Sequence, residues 1–285
     1  MNILEVIDPG LGMTFQDRGR PGWRRFGVPS SGAMDDHAAG WANRLLDNPP
    51  DAPLLELLLQ GARLRVLNDA WIAVTGADAD ASVPTWRTVR VKAGDDARFP
   101  HIRRGVWTYV AIAGGFDAPR VLGSASVYPR GRLGAPLTRG DVLRRRDTPG
   151  FHLPEHVAGR TIAWDERRDY NSPPPLRVWP GPQWDFFGEA DRSAFFSREW
   201  TVAPQSDRVG YRLHGEPLKL RQVQILSEPV LVGSVQVPDN GQPIVTMRDG
   251  PTVGGYPKLG VLDPADVSWL AQCRPGQKVS FKLVT

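Results

Sequence analysis

Glycine and proline occur so often in this chain that its apolar runs are mostly short. The 285 residues include 30 Gly and 27 Pro, together one residue in five. Most apolar or alternating runs end at Gly, Pro, Asn or Asp, the pattern of strands joined by tight turns. We predict strands at 3–7, 63–67, 71–75, 87–91, 106–112, 176–179, 224–226, 244–247 and 278–284. The sequence therefore predicts a mainly β protein.

Three segments are typical of short helices. Segment 33–46 places its apolar side chains on one face and is followed by two prolines, which end a helix. Segment 189–196 is the second. The third begins at Asp263, a good N-cap residue, with Pro264 in the first turn, and it stops at Arg274.

A proline-rich connector divides the chain. Pro173, Pro174 and Pro175 follow one another, and proline cannot donate a ladder hydrogen bond. Charged residues precede this stretch, and a predicted strand follows it. We therefore predict two domains, 1–171 and 172–285.

Charge and composition exclude several classes of protein. The formal net charge is +4, and basic residues are interspersed with acidic ones rather than gathered in a stripe, so we expect no nucleic-acid partner. No apolar run approaches the ~18 residues of a membrane span, and the first residues show no secretory signal. We expect a cytoplasmic protein without a membrane partner. The single cysteine, Cys273, is predicted to be a core thiol.

Familiar catalytic and nucleotide-binding motifs are missing from the sequence. It contains no G-x-x-x-x-G-K-[ST] phosphate loop, no H-E-x-x-H and no G-x-S-x-G elbow. His152 and His156 are close in sequence, but no Cys or third His lies near them, so we expect no metal site.

Three loops concentrate side chains that can bind or catalyse. In the first, Gln16, Asp17 and Arg20 precede a turn at Ser30 and Ser31, which opens the first predicted helix. Free N–H groups at a helix N-terminus attract an anion. The alternative is an ordinary helix end, since acidic residues in the first turn already complement the helix dipole.

The second and third loops lie in the second half. Asp207 and Arg208 form either a reactive pair or a surface ion pair. Further on, Gly254 and Gly255 permit positive φ and an anion-binding nest, or else form a plain hairpin turn. The predicted catalytic residues are Asp17, Arg20, Asp207 and Arg208. The predicted substrate-binding residues are Gln16, Ser30, Ser31, Asp35, Tyr211, Gln236, Gln242, Thr252, Gly254, Gly255, Tyr256 and Lys258.

These loops, in this order, resemble the biotin-dependent carboxyltransferase-like family, which includes allophanate hydrolase subunit 2 and one of the subunits of bacterial 5-oxoprolinase. The resemblance runs from about residue 8 to residue 283. It is carried by Gln16-Asp17-x-Gly19-Arg20-x-Gly22, Gly27-Val28-Pro29-x-Ser31-Gly32-Ala33-Met34-Asp35, Asn48-Pro49, Leu55-Glu56, Pro180-Gly181-Pro182-Gln183, Ser206-Asp207-Arg208-x-Gly210-Tyr211-Arg212 and Gly254-Gly255-Tyr256.

The resemblance implies two cyclophilin-like β-barrel domains and a subunit of an ATP-dependent enzyme that opens 5-oxo-L-proline to glutamate. It also implies a cognate subunit 1 that completes the site and a third subunit of the LamB/YcsF type. ATP, with Mg, would bind at the level of the complex, and the sequence leaves open which of the subunits binds it. In this chemistry Arg20 and Arg208 would stabilise developing negative charge, with Asp17 or Asp207 as the base.

Two other functions remain open on the same resemblance. One is a carboxyltransferase or allophanate hydrolase component of urea metabolism, for which other proteins would supply biotin. The other is a non-catalytic antagonist of a kinase inhibitor. The chain departs from the family pattern at Gly250 and Pro251, where some members associated with 5-oxoprolinase carry an Arg-Gln pair. If that pair contacts the substrate, we expect a different substrate specificity here.

Overall fold

A computed structural model describes residues 1–147, 150–154, 156–220 and 225–284. The chain divides into two compact units. Unit 1 comprises Met1–Arg20 and Ser31–Asp169, and unit 2 comprises Pro21–Ser30 and Tyr170–Thr285. Each unit is therefore built from two pieces of chain, and the Pro21–Ser30 segment, here called the arm, belongs to unit 2.

Unit 1 consists of two antiparallel sheets. One has the strand order β7-β4-β1-β9 and the other β2-β3-β8-β5-β6. The strands are β1 (Asn2–Pro9), β2 (Met13–Gln16), β3 (Leu54–Leu58), β4 (Ala62–Val66), β5 (Ala70–Asp78), β6 (Thr88–Val91), β7 (Asp96–Phe99), β8 (Arg104–Ile112) and β9 (Val142–Arg144). Strands β5 and β8 form the longest pairing, from Ile72 opposite Ile112 to Asp78 opposite Arg104.

Both sheets of unit 1 contribute to one apolar core. Leu64 and Phe99 come from the first sheet, and Phe15 and Val110 come from the second; all four are buried in one cluster. The rings of Phe15 and Phe116 lie 5.5 Å apart in a tilted arrangement, which suits an aromatic pair. The alternation of apolar and polar residues along β4 follows from having only one face against this core.

Helix α1 (Asp36–Leu45) packs against β5 and β8. It is three residues shorter at its start than the predicted 33–46. The reason is that Asp35 has extended backbone angles and caps the helix, its carboxylate accepting a hydrogen bond from the Ala38 N–H at 3.0 Å. Residues 33 and 34 therefore lie in the preceding turn.

Unit 2 contains an eight-stranded sheet that forms a nearly closed barrel. Its strands are β10 (Leu176–Pro180), β11 (Trp200–Val202), β12 (Gly210–His214), β14 (Ser234–Gln236), β15 (Ile244–Thr246), β17 (Lys258–Leu262), β18 (Lys278–Val279) and β19 (Phe281–Leu283). The order is β18-β11-β12-β15-β14-β17-β10-β19. The two end strands are consecutive in sequence, so the chain bends at Ser280 to join the barrel's two edges.

Unit 2 also contains two short paired strands and two helices. Strands β13 (Glu228–Pro229) and β16 (Val253–Gly254) pair with each other, and we call them the glycine ribbon. Helix α2 (Glu189–Ser197) buries Phe195, whose ring stacks on Phe281 at 4.8 Å. Helix α3 (Pro264–Ala271) begins at Asp263, whose side chain accepts from the Ala265 N–H as the sequence predicts.

The prediction of a mainly β chain with a few short helices is confirmed, whereas two strand predictions need correction. The predicted strand 278–284 is two strands separated by Ser280. Of the predicted strand 224–226, Gln224 lies outside the described residues, and Ile225 and Leu226 are not in a strand. The domain boundary at 171 and 172 stays a prediction, although the arm lies in unit 2 rather than unit 1. Among the described residues, no helix has the length and apolar character needed to cross a membrane.

Candidate functional site

Asp17 is the anchor of the first loop. Its Oδ1 accepts hydrogen bonds from the Gly19 N–H at 2.8 Å, from the Ser124 hydroxyl at 2.5 Å and from the Ser126 hydroxyl at 2.6 Å. Its Oδ2 accepts from the Ala125 N–H at 2.7 Å. The carboxylate is buried, so these donors replace the water that it loses. They tie the first loop to segment 124–126.

Arg20 and Gln16 are buried beside Asp17. The Arg20 guanidinium donates to the Ser126 carbonyl, and Arg20 is only 1% exposed. The Gln16 amide donates to the Val127 carbonyl at 3.2 Å. The structure therefore brings these three predicted residues together, around contacts that hold loops in place.

The turn at Ser31 and Gly32 has an unusual backbone. Both residues have positive φ, 54° and 97°. A Cβ on Gly32 would lie 3.2 Å from the Arg18 carbonyl carbon, so only glycine fits without a shift. Ser31 is buried, and its hydroxyl has no hydrogen-bond partner among the described residues. The predicted Ser30 lies in unit 2 and is half-buried.

A second buried carboxylate supports the start of α1. Glu56 Oε2 accepts from the Met34 N–H at 2.7 Å and from the Tyr109 hydroxyl at 2.9 Å. The same hydroxyl accepts from the Asp35 N–H at 2.7 Å. Burial, together with the nearby Glu56 and Asp35 carboxylates, raises the pKa of Tyr109 well above its ordinary value. Asp35 caps the helix, and Arg168 Nη1 lies 3.9 Å from its Oδ1; its substrate role stays a prediction.

Arg208 forms an ion pair with the buried carboxylate of Asp249 in unit 2. Its Nε donates to Asp249 Oδ2 at 2.7 Å and its Nη2 to Oδ1 at 3.2 Å, a two-point contact. The side chains are 14% and 4% exposed. Asp207, by contrast, is exposed, and its Oδ1 accepts from the Val209 and Gly210 N–H groups. Arg208 and Asp207 are neighbours with different environments.

Lys258 is the centre of a second polar group in unit 2. Its Nζ lies 2.5 Å from Glu228 Oε1, and the Lys258 side chain is only 3% exposed. Gln183 bridges the pair, because its amide donates to Glu228 Oε1 at 2.8 Å and accepts from the Lys258 N–H at 3.0 Å. Lys258 and, next, Gln183 lower the pKa of Glu228 by hydrogen bonding to its carboxylate.

The prediction that Gly254 and Gly255 permit positive φ is wrong, because neither residue adopts it. Side chains pack closely around Gly254 instead. A Cβ there would lie 2.9 Å from Gln236 Oε1 and 3.1 Å from a Val230 methyl carbon. Gln236 also donates to the Thr246 hydroxyl at 2.8 Å. The glycine ribbon thus approaches Gln236 closely.

The other predicted residues of unit 2 do not share one environment. The Tyr211 hydroxyl is buried and donates to the Ala271 carbonyl at 2.6 Å, at the end of α3. Gln242 makes two hydrogen bonds to the backbone of Gly215. Thr252 is nearly buried and Tyr256 is 47% exposed. Tyr211 and Gln242 therefore act in local structure, and their binding roles stay predictions.

Sequence reasoning does not single out Gln183, Glu228 or Asp249 as site residues. Gln183 and Glu228 lie 45 residues apart and meet only through the fold. Asp249 belongs to the third loop, yet nothing local identifies Arg208, 41 positions away, as its partner. The sequence offers two signals: Gln183 ends one of the motifs of the family resemblance, and Asp249 stands directly before glycine and proline.

Two clefts of unit 1 lie near residues discussed above. One, of about 300 Å³, is lined by Phe15, Ser124, Ser126 and others and adjoins the Asp17 contacts. Another, of about 660 Å³, lies along α1 and is lined by His37, Trp41 and Glu166 among others. The second is an open surface cleft, where the Trp41 indole donates to Glu166 Oε2 at 3.3 Å.

Unit 2 carries two ion pairs whose cations are largely buried, Arg208 with Asp249 and Lys258 with Glu228. Arg208 offers a guanidinium fixed from behind by Asp249. Fixed donors of this kind stabilise negative charge that develops on a reacting oxygen. Asp207 offers an exposed carboxylate at the adjoining turn.

Comparison with known proteins places this geometry in context. A family model described as the carboxyltransferase domain, subdomains A and B, matches residues 26–283. The C subunit of 5-oxoprolinase from Escherichia coli (strain K12) is 36% identical over 294 aligned residues. These cover 98% of this chain and 90% of that protein.

Two solved structures share the fold over 99% of this chain. TTHA0988 has a TM-score of 0.85 and 36% identity, and the Kluyveromyces lactis urea carboxylase has a TM-score of 0.87 and 27% identity. This chain spans 55% of the TTHA0988 chain and 27% of the urea carboxylase chain. Both solved proteins therefore contain substantial further sequence.

Proposed function

The chain belongs to the family of the carboxyltransferase domain, subdomains A and B, and on that premise we propose that it is a subunit of an ATP-dependent 5-oxoprolinase. The complex would open 5-oxo-L-proline to L-glutamate. The observation that carries the proposal is the match with the Escherichia coli 5-oxoprolinase protein over nearly the whole length of both chains. A further subunit would complete the site.

The reaction must overcome the resonance of a lactam amide. Transfer of a phosphoryl group from ATP to the lactam oxygen makes that oxygen a good leaving group. Water then adds to the carbon, the ring C–N bond breaks and the nitrogen takes a proton, which leaves an acyl phosphate. A second water hydrolyses the acyl phosphate, and the phosphorylated oxygen departs as phosphate. In sum, one lactam, one ATP and two waters give glutamate, ADP and phosphate. Negative charge develops on oxygen, where fixed cationic donors contribute most.

Within this proposal Arg208 stabilises the developing charge, and Asp207 is the base. Asp207 is preferred to Asp17 because Asp207 is exposed, whereas both oxygens of the buried Asp17 accept hydrogen bonds from the protein. Arg20 is buried on its own loop and holds the Ser126 carbonyl. We therefore place the chemistry of this chain in unit 2.

The metal ion that accompanies ATP is assigned to the complex. In the part of the chain that the structure describes, no group of three or more His, Cys, Asp or Glu side chains is arranged to hold a metal ion. The partner subunits are part of the same proposal.

Reconstitution tests the proposal. Glutamate and ADP would be measured from 5-oxo-L-proline and ATP, using this chain purified with its two presumed partners, and again with this chain omitted. We expect the two products in equal amounts, and only when the chain is present. Glutamate formation without the chain would contradict the proposal, as would ADP release from the full complex without glutamate.

Carboxyl transfer is the second candidate, and the fold shared with a urea carboxylase favours it. The intact complex would then be inactive with 5-oxo-L-proline. Urea-dependent loss of the carboxyl group from carboxybiotin, supplied on a carrier protein, is the readout that would support this candidate. If a stable complex shows neither activity, the remaining candidate is the non-catalytic role, in which the chain antagonises a kinase inhibitor.

A further inference from the structure

Arg24 lies in the arm, beside the glycine ribbon of unit 2. It opens a single 3-10 turn, Arg24–Phe26. Its Nη2 donates to the Val230 carbonyl and, at 3.3 Å, to the Pro251 carbonyl. These two carbonyls flank the ribbon, since the Val230 N–H in turn donates to the Thr252 carbonyl at 3.0 Å. The guanidinium thus lies where the ends of two loops meet.

The charge of Arg24 is not neutralised by any described residue. Its hydrogen-bond partners are backbone carbonyls, and no carboxylate of the described chain lies within ion-pair distance. Its Nη1 is buried and makes no hydrogen bond within the described residues. Burial lowers the pKa of Arg24, as expected for a charge that has lost water without gaining an anion.

Two other cations at the same loops are neutralised. Arg208 is paired with Asp249, two positions before Pro251, and Lys258 is paired with Glu228, two positions before Val230. The loops therefore supply a counter-ion for each of these cations. Arg24 differs from both in facing carbonyls alone, so its guanidinium would gain from an anion.

We propose that Arg24 binds an oxyanion, a phosphoryl or carboxylate group, at the glycine ribbon. The Arg24 Nη1, which makes no hydrogen bond within the described residues, can donate to an oxygen of either group, and this accounts for the shared chemistry. That the anion belongs to the substrate or to ATP rests on the proposed function, whereas anion binding itself does not. Nothing in the local sequence distinguishes Arg24 from Arg25, so this assignment comes from the fold.

A purely structural role for Arg24 makes a different prediction. A guanidinium that only ties Val230 to Pro251 would affect stability when replaced, and anion affinity would not depend on its charge. An anion-binding guanidinium gives graded affinities, because lysine keeps the charge but loses the planar fork, and glutamine loses the charge. The two roles are therefore separable by ligand binding.

The experiment measures binding to the full chain by calorimetry at constant ionic strength. The probes are inorganic phosphate, 5-oxo-L-proline and the uncharged lactam 2-pyrrolidinone. The variants are Arg24→Gln, Arg24→Lys and the matched control Arg25→Gln, whose arginine is exposed and lies over the Phe26 ring. We expect Arg24→Gln to weaken binding of the recognised anion by at least about tenfold, with Arg24→Lys between. Arg25→Gln should match the parent protein.

The pattern across probes identifies the anion. Phosphate binding alone assigns a phosphoryl group, and 5-oxo-L-proline binding without 2-pyrrolidinone binding assigns a carboxylate. The proposal would be overturned if Arg24→Gln and the parent bound the anion with equal affinity. It would also be overturned if the parent bound neither phosphate nor 5-oxo-L-proline. All of these results are obtained without turnover, so they stand apart from the reconstitution assay.

A second measurement needs no variant. Phenylglyoxal modifies arginines, and peptide mass analysis reports the extent at Arg24 and Arg25 separately. We expect saturating anion to slow modification of Arg24 at least about threefold and to leave Arg25 unchanged. Equal rates with and without anion would refute the assignment even if Arg24→Gln failed to fold.

Discussion

Buried carboxylates fix the local geometry of each unit at the scale of single residues. Asp17 and Glu56 in unit 1, and Asp249 in unit 2, are each buried and receive hydrogen bonds from the protein. Burying a charge costs free energy that only well-placed donors offset. Each carboxylate therefore favours one arrangement of the loops around it.

Removal of the Arg208 guanidinium should reduce turnover of the assembled enzyme by an order of magnitude or more. Arg208→Ala would be measured beside Arg212→Ala, an exposed arginine of β12 that should have no effect. Arg208→Ala also leaves Asp249 buried and unpaired, at a cost of about 3 kcal/mol in stability. Unchanged turnover would remove Arg208 from the proposed site.

A double variant separates these two effects. Arg208→Met with Asp249→Leu replaces the pair by apolar side chains, so most of the lost stability should return. Turnover should remain low, because the guanidinium is still absent. Recovery of turnover together with stability would show that Arg208 acts only in folding.

The Tyr109 hydroxyl should contribute measurably to the stability of unit 1. Tyr109→Phe leaves the Asp35 N–H without its acceptor and Glu56 without one donor. We expect the free energy of unfolding to fall by about 1–3 kcal/mol in chemical denaturation. Tyr128→Phe is the matched control, since the Tyr128 hydroxyl makes no hydrogen bond with a described residue. A loss equal in both variants would argue against this network.

The buried thiol of Cys273 should make stability depend on alkaline pH. Burial raises its pKa from 9.0 to about 12. Between these values the unfolded thiol is ionised while the folded thiol keeps its proton, so stability falls as pH rises. The contribution is about 1.4 kcal/mol per pH unit. Unfolding of the parent and of Cys273→Ala between pH 8.5 and 10.5 measures it, and parallel curves would contradict it.

At the scale of elements, capping residues and close approaches position the loops. Asp35 starts α1 and Asp263 starts α3, each by accepting a backbone N–H. In the glycine ribbon, Gly254 lets β16 approach Gln236 closely. The loops are therefore held mainly by what surrounds them.

The stability of the fold should depend less on the charge of Asp35 than on its capping oxygen. Asn caps a helix about as well as Asp, so Asp35→Asn should keep the fold, whereas Asp35→Ala should cost about 1 kcal/mol. Thermal unfolding and turnover of both variants would be compared. If Asp35→Asn unfolds like the parent yet loses turnover, Asp35 contacts substrate after all.

Local chemistry accounts for the elements that the sequence predicts. The cap at Asp263 and the end of α1 depend on adjacent residues, and both are predictable from Asp-Pro and Pro-Pro spacing. The single strand expected at 278–284 is wrong because its two halves lie at opposite edges of the barrel. No feature of the seven residues 278–284 themselves encodes that separation.

The candidate site is less predictable than the fold, because its contacts join distant segments. Arg20 and Asp17 are predictable from their loop, and the structure does bring them together at Ser126. Arg24 is not, since its partner carbonyl at Val230 is 206 positions away. Gly254 suggests conformational freedom, whereas in the fold it is closely packed by Gln236 and Val230. Residue types indicate which loops matter, and the fold determines how.

At the scale of the whole molecule, both units are discontinuous in sequence. The chain passes from unit 1 to unit 2 at Pro21, returns at Ser31 and passes again at Tyr170. The arm brings Arg24 to unit 2 from the amino-terminal part of the chain. Unit 2 is therefore incomplete in a fragment that begins at residue 170.

A cut in the proline connector should not release unit 2. A protease site placed between residues 172 and 173 would give two fragments, with the arm on the amino-terminal one. We expect the fragments to co-elute in gel filtration until denaturant is added. Arg24→Gln in the cut protein should weaken this association. Separation of the fragments in native buffer would contradict the assignment of the arm.

The arm also sets an order of events during synthesis. Arg24 leaves the ribosome early, but its acceptor at Val230 is made 206 residues later. At roughly 5–20 residues per second this interval is on the order of 10–40 s. Unit 1 has most of its sequence available during that time, while the arm must remain unpaired. The arm of the nascent chain therefore stays without its partner until the strands of unit 2 have been synthesised.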